Sequence, residues 1–326
     1  MAFDYQLHGT TSPVPTVDFS SYPEMRPYLT EPKAMYVGAP GKNGYLRMGF
    51  EIDPRGKSIM RDLERRVPIV VQQELYFDEE MPGMPCVYIL SSGGQYMEGD
   101  RYRQDITMRK GSYAFVSTGA ANKVAEMREN YCGLMQNIVL EEDSYLEFLP
   151  EPTIPCRHTR FISDTRIIAH PTATLFYSEI FMAGRKHYQG RETFVDGELY
   201  DYDILSVTCR GERPDGEPLF REKFVIEPAK RNPRQLGVMG HYDVFGNVVV
   251  VTPPDKAAEI YAATDAFIDR ERKVACGITH LPNKAGLLFK VVGMETGPVK
   301  AIIREFCSKV RMAVKGHPVP EEFPWR

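Results

Sequence analysis

Paired cysteines are missing from this 326-residue chain: its six (Cys86, Cys132, Cys156, Cys209, Cys276 and Cys307) are widely spread, with no Cys-x-x-Cys spacing. At this length the pattern argues against a disulfide framework and for reduced thiols in the cytoplasm. An excess of positive charge is missing too. Lysine and arginine number 40 against 44 aspartates and glutamates, a net charge of −4, so no basic field favours nucleic acid. No apolar run approaches the roughly eighteen residues of a membrane span. Residues 1–7 carry Asp4 and lack the basic flank and apolar core of a secretory signal. The phosphate-binding Gly-x-x-x-x-Gly-Lys-Ser/Thr loop, Gly-x-Gly-x-x-Gly, Gly-x-Ser-x-Gly and His-Glu-x-x-His are all absent. The histidines are scattered singly, and Cys156-x-His158 and Cys276-x-x-x-His280 are isolated pairs, short of a structural zinc site. The expectation is a soluble, acidic, cytoplasmic globular protein.

What is present is strand after strand. Residues 1–44 are rich in Pro, Ser, Thr and Gly and read as an irregular arm. From Tyr45 to Val251 the chain reads as a β-rich body: a barrel, a sandwich or a coil. Val67 to Phe77 is a long β-branched and aromatic run, and Tyr102, Gln104, Ile106 and Met108 alternate with polar residues to give one inward face. Residues 252–326 switch to a helical period. Thr252-Pro253-Pro254-Asp255 is a helix start with a threonine N-cap, and Ile260, Tyr261, Thr264, Phe267 and Ile268 share the face that follows. Val299, Ile302, Ile303, Phe306 and Val310 make a second apolar stripe, stopped at Lys315-Gly316. Such a stripe either packs on the body or presents a partner-binding face.

Carboxylates beside strands carry the chemical interest. Ser91-Ser92-Gly93-Gly94-Gln95-Tyr96-Met97-Glu98-Gly99-Asp100 puts three glycines and two acids directly after the apolar run Cys86–Leu90. Glycine permits positive φ, so the turn reads either as a bend with solvated acids or as a shaped wall. Asp78, Glu147 and Glu179 also neighbour strands. Glu179 interrupts the nearly uncharged Ala173–Ala183, where a carboxylate is costly to bury unless paired, hydrated or bound to a cation. Arg185 is the available ion-pair partner. Asp100 and Glu179 facing one open cleft would suit a β-helical carbohydrate-active enzyme.

Pro68-Ile69-Val70-Val71-Gln72-Gln73, the run from Cys86 through Gly99-Asp100, and Ser117-Thr118-Gly119-Ala120-Ala121-Asn122-Lys123 resemble the urease accessory protein family UreD, or UreH. So do Leu146 to Pro155, Ser178-Glu179-Ile180 followed by Gly184-Arg185, and the terminal Pro324-Trp325-Arg326, all in family order. The resemblance implies a mainly β fold: a right-handed, β-helix-like coiled-sheet body with a small C-terminal helical element. It implies a scaffold and no enzyme, acting with the accessory F protein and the GTPase G protein to deliver nickel to the urease apoprotein. In this family an internal polar passage is associated with Ni²⁺ transit, and no cofactor is held stably. Carried over position by position, that implies Asp78, Asp100, Asn122 and Glu179 along the passage, with Glu222 a further match. Oxygen ligands suit this cargo because they release Ni²⁺ more readily than thiolate or imidazole clusters do. Val299, Ile303, Phe306 and Val310, with the tail through Trp325, are the implied partner-binding residues. Trp325 reads either as an anchor or as packing on the body. The longer arm before Tyr45, Val124-Ala125-Glu126 after Lys123, and the spacing of Gly184-Arg185 from Gly190-Arg191-Glu192 depart from the family pattern. They leave a divergent paralogue serving another metal pathway as the alternative.

Overall fold

Period-two burial organises the body. Residues 101–108 alternate without a break, and Tyr102, Gln104, Ile106 and Met108 are the buried set. A computed structural model describes residues 15, 17–30, 41–188 and 197–323. Its strands begin with β1 (Asn43–Ile52), β2 (Ser58–Arg66), β3 (Ile69–Val70), β4 (Cys86–Ser91), β5 (Arg101–Met108) and β6 (Tyr113–Thr118). Then come β7 (Asn122–Val124), β8 (Cys132–Leu140), β9 (Tyr145–Leu149), β10 (Thr153–Pro155), β11 (Arg160–Ala169) and β12 (Thr174–Met182). The order closes with β13 (Ile204–Glu212), β14 (Pro218–Ile226), β15 (Val244–Val251), α1 (Pro254–Ala262), β16 (Phe267–Asp269), β17 (Val274–His280), β18 (Gly286–Gly293) and α2 (Thr296–Lys315).

Two sheets face one another. One runs β14-β13-β11-β8-β5-β1-β2, the other β16-β17-β18-β15-β12-β9-β6-β4-β3. From β4 to β13, the short β7 and β10 apart, successive strands alternate between the sheets. Neighbours within a sheet are therefore parallel: β4, β6, β9 and β12 in one, β5, β8, β11 and β13 in the other. Parallel neighbours need a crossover, and here a strand of the opposite sheet supplies it.

The inward faces meet in a core that includes Leu46, Ile106, Ile138, Leu175 and Val249. β12 is buried on both faces: Leu175 and Tyr177 enter this core, while Phe176 and Ile180 enter a second one beneath the helices. α2 covers that second core with Val299, Ile303, Phe306 and Val310. Gly246 of β15 makes the approach possible, since a Cβ there would stand 2.8 Å from the Ile303 side chain. A short 3₁₀ turn at Pro23–Tyr28 packs Met25, with Phe19, against Tyr131, Ile162 and Ile204, so part of the arm is docked.

The structure departs from the sequence reading in several places. Val67–Phe77 is not one long strand. Pro68 lacks an N–H; only Ile69 and Val70 pair with β4, and Leu75 makes a single bridge to Cys86. α1 starts one residue later than expected, with Pro253 at its cap, because the Thr252 hydroxyl is turned inward to Thr174. It ends at Ala262, where the Thr264 hydroxyl donates to the Ile260 carbonyl. Phe267 and Ile268 therefore lie on β16, exposed. Residues 252–326 also supply β16–β18, which extend the β15 sheet beside the two helices. Gly190-Arg191-Glu192 and Trp325 lie outside the described residues.

Candidate functional site

Register builds a polar row through the inter-sheet core. Gln104, Gln136, Thr165, Cys209 and Glu222 stand side by side across β5, β8, β11, β13 and β14. Opposite them, Glu179, Asn247 and Lys290 form a row across β12, β15 and β18. Inside, Gln136 donates to Gln104 Oε1 at 3.0 Å and accepts from the Thr165 hydroxyl at 3.0 Å and the Tyr177 hydroxyl at 2.9 Å. At the outer end the Lys290 ammonium donates to Glu222 Oε1 and joins the two rows. Buried polar groups are normally all partnered. In this core Glu179 Oε2, Glu222 Oε2, Asn247 Oδ1 and the Ser163 hydroxyl have no protein partner.

A cavity of about 40 Å³ lies beside the inner part of this row; Tyr96, Gln104, Asn122, Gln136, Ser163 and Glu179 are among its lining, and Asn247, Glu222 and Lys290 are not. One ordered water needs roughly 10–15 Å³ of such space, so there is room for water beside these oxygens. Glu179 is only 8% exposed. Burial pushes its carboxyl up to about 7; Tyr177 and Asn247 hydrogen bonds pull it down and the Glu222 charge pushes it further up. A carboxyl that titrates near neutrality and keeps one oxygen free can exchange a proton for a cation. Among the described residues no group of three or more His, Cys, Asp or Glu is placed to hold a metal ion.

The family model described as UreD urease accessory protein matches residues 42–326. The chain belongs to the UreD family. Urease accessory protein UreD 2 of Brucella suis biovar 1 (strain 1330) is 44% identical over 302 residues, 93% of this chain and 98% of that protein. Urease accessory protein UreD of Yersinia pseudotuberculosis serotype O:1b (strain IP 31758) is 42% identical over 304 residues, 93% of this chain and 92% of that protein.

Within this UreD-family fold the sequence candidates separate. Asn122 and Glu179 line the same cavity, and Glu222 faces Glu179 from the opposite sheet closely enough for its charge to be felt there. Asp100 is held elsewhere. Its Oδ1 accepts from the Gly41 and Lys42 N–H groups, and its Oδ2 from the Met97 N–H at 2.9 Å and the Tyr102 hydroxyl at 2.6 Å. Asp78 lies beneath α2. Its Oδ2 accepts from Arg311 at 2.6 Å, and Glu147 takes the other side of the same guanidinium at 2.7 and 2.6 Å. All three side chains are buried, and the Tyr145 hydroxyl adds a 2.5 Å bond to Glu147. The cavity lined by Glu179 includes neither Asp78 nor Asp100. Arg185, the ion-pair partner available to Glu179 in the sequence, is engaged elsewhere: it grips Glu198 with two bonds, at 2.7 and 2.6 Å. Glu98 is also structural. Burial pushes its carboxyl up, but three N–H groups, from Arg128, Glu129 and Asn130, hold it below the usual range.

Val299, Ile303, Phe306 and Val310 are all within the second core, so of the two roles considered for that stripe the chain uses it for packing. The residues that sequence reading missed are Gln136, Thr165, Tyr177, Asn247 and Lys290. The one available signal was Gln104, an amide on an otherwise apolar inward face.

Proposed function

We propose that this chain is a non-catalytic scaffold of urease maturation, which with the accessory F protein and the GTPase G protein passes Ni²⁺ to the urease apoprotein through the polar space between its sheets. The carrying observation is the row itself: amide, hydroxyl and carboxylate oxygens threaded through an apolar core, several without protein partners, around room for water. Such a row is a poor way to stabilise a fold, because each unpartnered buried oxygen costs roughly 1–3 kcal/mol. It suits a hard-oxygen path along which a hydrated cation is handed on and not retained. The alternating strands, wound as a right-handed coil, enclose that path. Transit is transient, with no stable cofactor. The G protein supplies nucleotide hydrolysis. In this reading partners meet the exposed side of α2, where Ala301, Glu305 and Met312 lie, together with the tail carrying Trp325, and the setting is the cytoplasm.

The experiment is a deletion strain in which the nickel content of purified urease is measured, beside pull-down of this chain with urease apoprotein and the F protein. The expected result is unloaded urease and a recovered complex on complementation. Full nickel loading without the chain would overturn the reading.

A further inference from the structure

The outer end of the polar row is closed by a charge that the passage reading does not use. β14 is the edge strand of its sheet and faces β18 of the other, and the Lys290 ammonium contacts Glu222 Oε1 there. The lysine side chain is 42% exposed and that of Glu222 19%, so the pair stands at the boundary between solvent and core. The Lys290 ammonium also lies 5.5 Å from the Phe245 ring centre, and Phe224 packs edge-on to Phe245, forming an apolar rim. Just inside this rim three acceptor oxygens have no protein partner: Glu222 Oε2, Asn247 Oδ1 and Glu179 Oε2. Asn247 is 1% exposed and sits in register between Glu179 and Lys290. Unpartnered oxygens of an amide and two carboxylates on facing strands, with an ammonium at their outer end, are the arrangement of a cation station whose entrance is held by a side-chain cation.

We propose that Lys290 is a tethered gate: its ammonium occupies Glu222 at the inter-sheet edge, and a divalent cation crossing there displaces it and takes oxygens from Glu222, Asn247 and Glu179. Lysine suits this work. Its charge is a point on a flexible four-carbon stem, so it can swing outward into solvent, giving up the Glu222 and Phe245 ring contacts. A divalent cation brings twice the charge and accepts several oxygens at once, which one ammonium cannot match in this geometry. When the cation leaves, the lysine returns and keeps the Glu222 carboxylate from holding the next ion. The gate rests on the passage reading for its biological purpose, but not for its metal chemistry.

The test is titration of the purified full-length chain with Ni²⁺ alone, followed by calorimetry in a non-chelating buffer. Lys290→Met keeps the apolar stem and removes the competing charge. It is expected to tighten Ni²⁺ binding roughly threefold to tenfold, the competition of one part-exposed ammonium. Lys290→Arg keeps the charge and is expected to bind no more tightly than wild type. Adding Glu179→Gln and Glu222→Gln to Lys290→Met is expected to abolish the gain. Affinity unchanged in Lys290→Met, or a gain that survives loss of both carboxylates, overturns the gate. Circular dichroism and thermal unfolding of each variant establish that folded protein is compared. The nickel content of urease from the deletion strain is read separately: normal loading there removes the passage reading, and leaves the outcome of the titration standing.

Discussion

Glu179 is where burial and charge are most directly opposed. Its folded-state carboxyl titrates at about 7 against an ordinary value of 4.5, with burial the main cause. The folded pKa is the higher one, so the stability it permits is present below about pH 4.5 and lost as pH rises through 7. The size is roughly 3 kcal/mol. Glu179→Gln keeps the shape and removes the charge. It is expected to be more stable than wild type by up to that amount at pH 8, with the difference fading towards pH 4. Urea unfolding at the two pH values checks this, and equal stability at pH 8 would mean the carboxylate is already compensated. Asp100, by contrast, is fully partnered. Four donors converge on it, two from Gly41 and Lys42 some sixty positions earlier, so it ties the segment before β1 to the start of β5. Asp100→Ala is expected to cost roughly 2–4 kcal/mol in thermal or urea unfolding, with metal present or absent. Unchanged stability together with failed nickel loading of urease would return Asp100 to a transport role.

Among the elements, α2 poses the clearest energetic question. Its apolar stripe docks it, yet Arg311 lies wholly buried in the same face and meets Asp78 and Glu147. Burial alone would lower the pKa of the guanidinium; the Glu147 carboxylate outweighs it and holds the pKa above its ordinary value. Removing one member of such a cluster strands the others. Arg311→Met is expected to lose roughly 3–5 kcal/mol, whereas Arg311→Met with Asp78→Asn and Glu147→Gln should recover most of it. Unfolding midpoints of the single and triple variants decide this; a single variant within about 1 kcal/mol of wild type would show that the stripe alone seats the helix. The same element shows what one sequence makes legible. The stripe from Val299 to Val310 and the stop at Gly316 follow from helical period and from a left-handed cap, here φ 77°. The inward face of β5 follows from alternation. The turn after β4 follows from its glycines, of which Gly94 and Gly99 have φ of 70° and 79°. Partners distant in sequence do not follow from any local period. Arg311 and Asp78 are 233 positions apart. The row from Gln104 to Glu222 exists only because the parallel strands β5, β8, β11 and β13, and the antiparallel β14 beside them, fall into one register. Phe267 and Ile268 continued a helical spacing that Thr264 had already ended.

At the scale of the whole molecule, alternating strands between two sheets put a polar row and a cavity with room for water inside an otherwise apolar interior. If that interior carries cargo, narrowing it must stop delivery without dismantling the scaffold. Ser163 is suited to the test. It lines the cavity, is 2% exposed, and its hydroxyl has no protein partner, so replacing it forfeits no internal hydrogen bond. Ser163→Leu puts a branched apolar side chain into a space of about 40 Å³. Overpacking of this kind costs typically about 1–3 kcal/mol, which a chain of this size tolerates. The expected outcome is normal expression, normal recovery of the complex with urease apoprotein and the F protein, and a severalfold fall in nickel per urease. Ser163→Ala, which leaves the space open, should load urease as wild type does. Nickel content of the purified urease, measured beside the pull-down, separates the two functions of the molecule. Full loading with folded Ser163→Leu would mean that nickel reaches urease by another route, and that this chain acts through its surfaces alone.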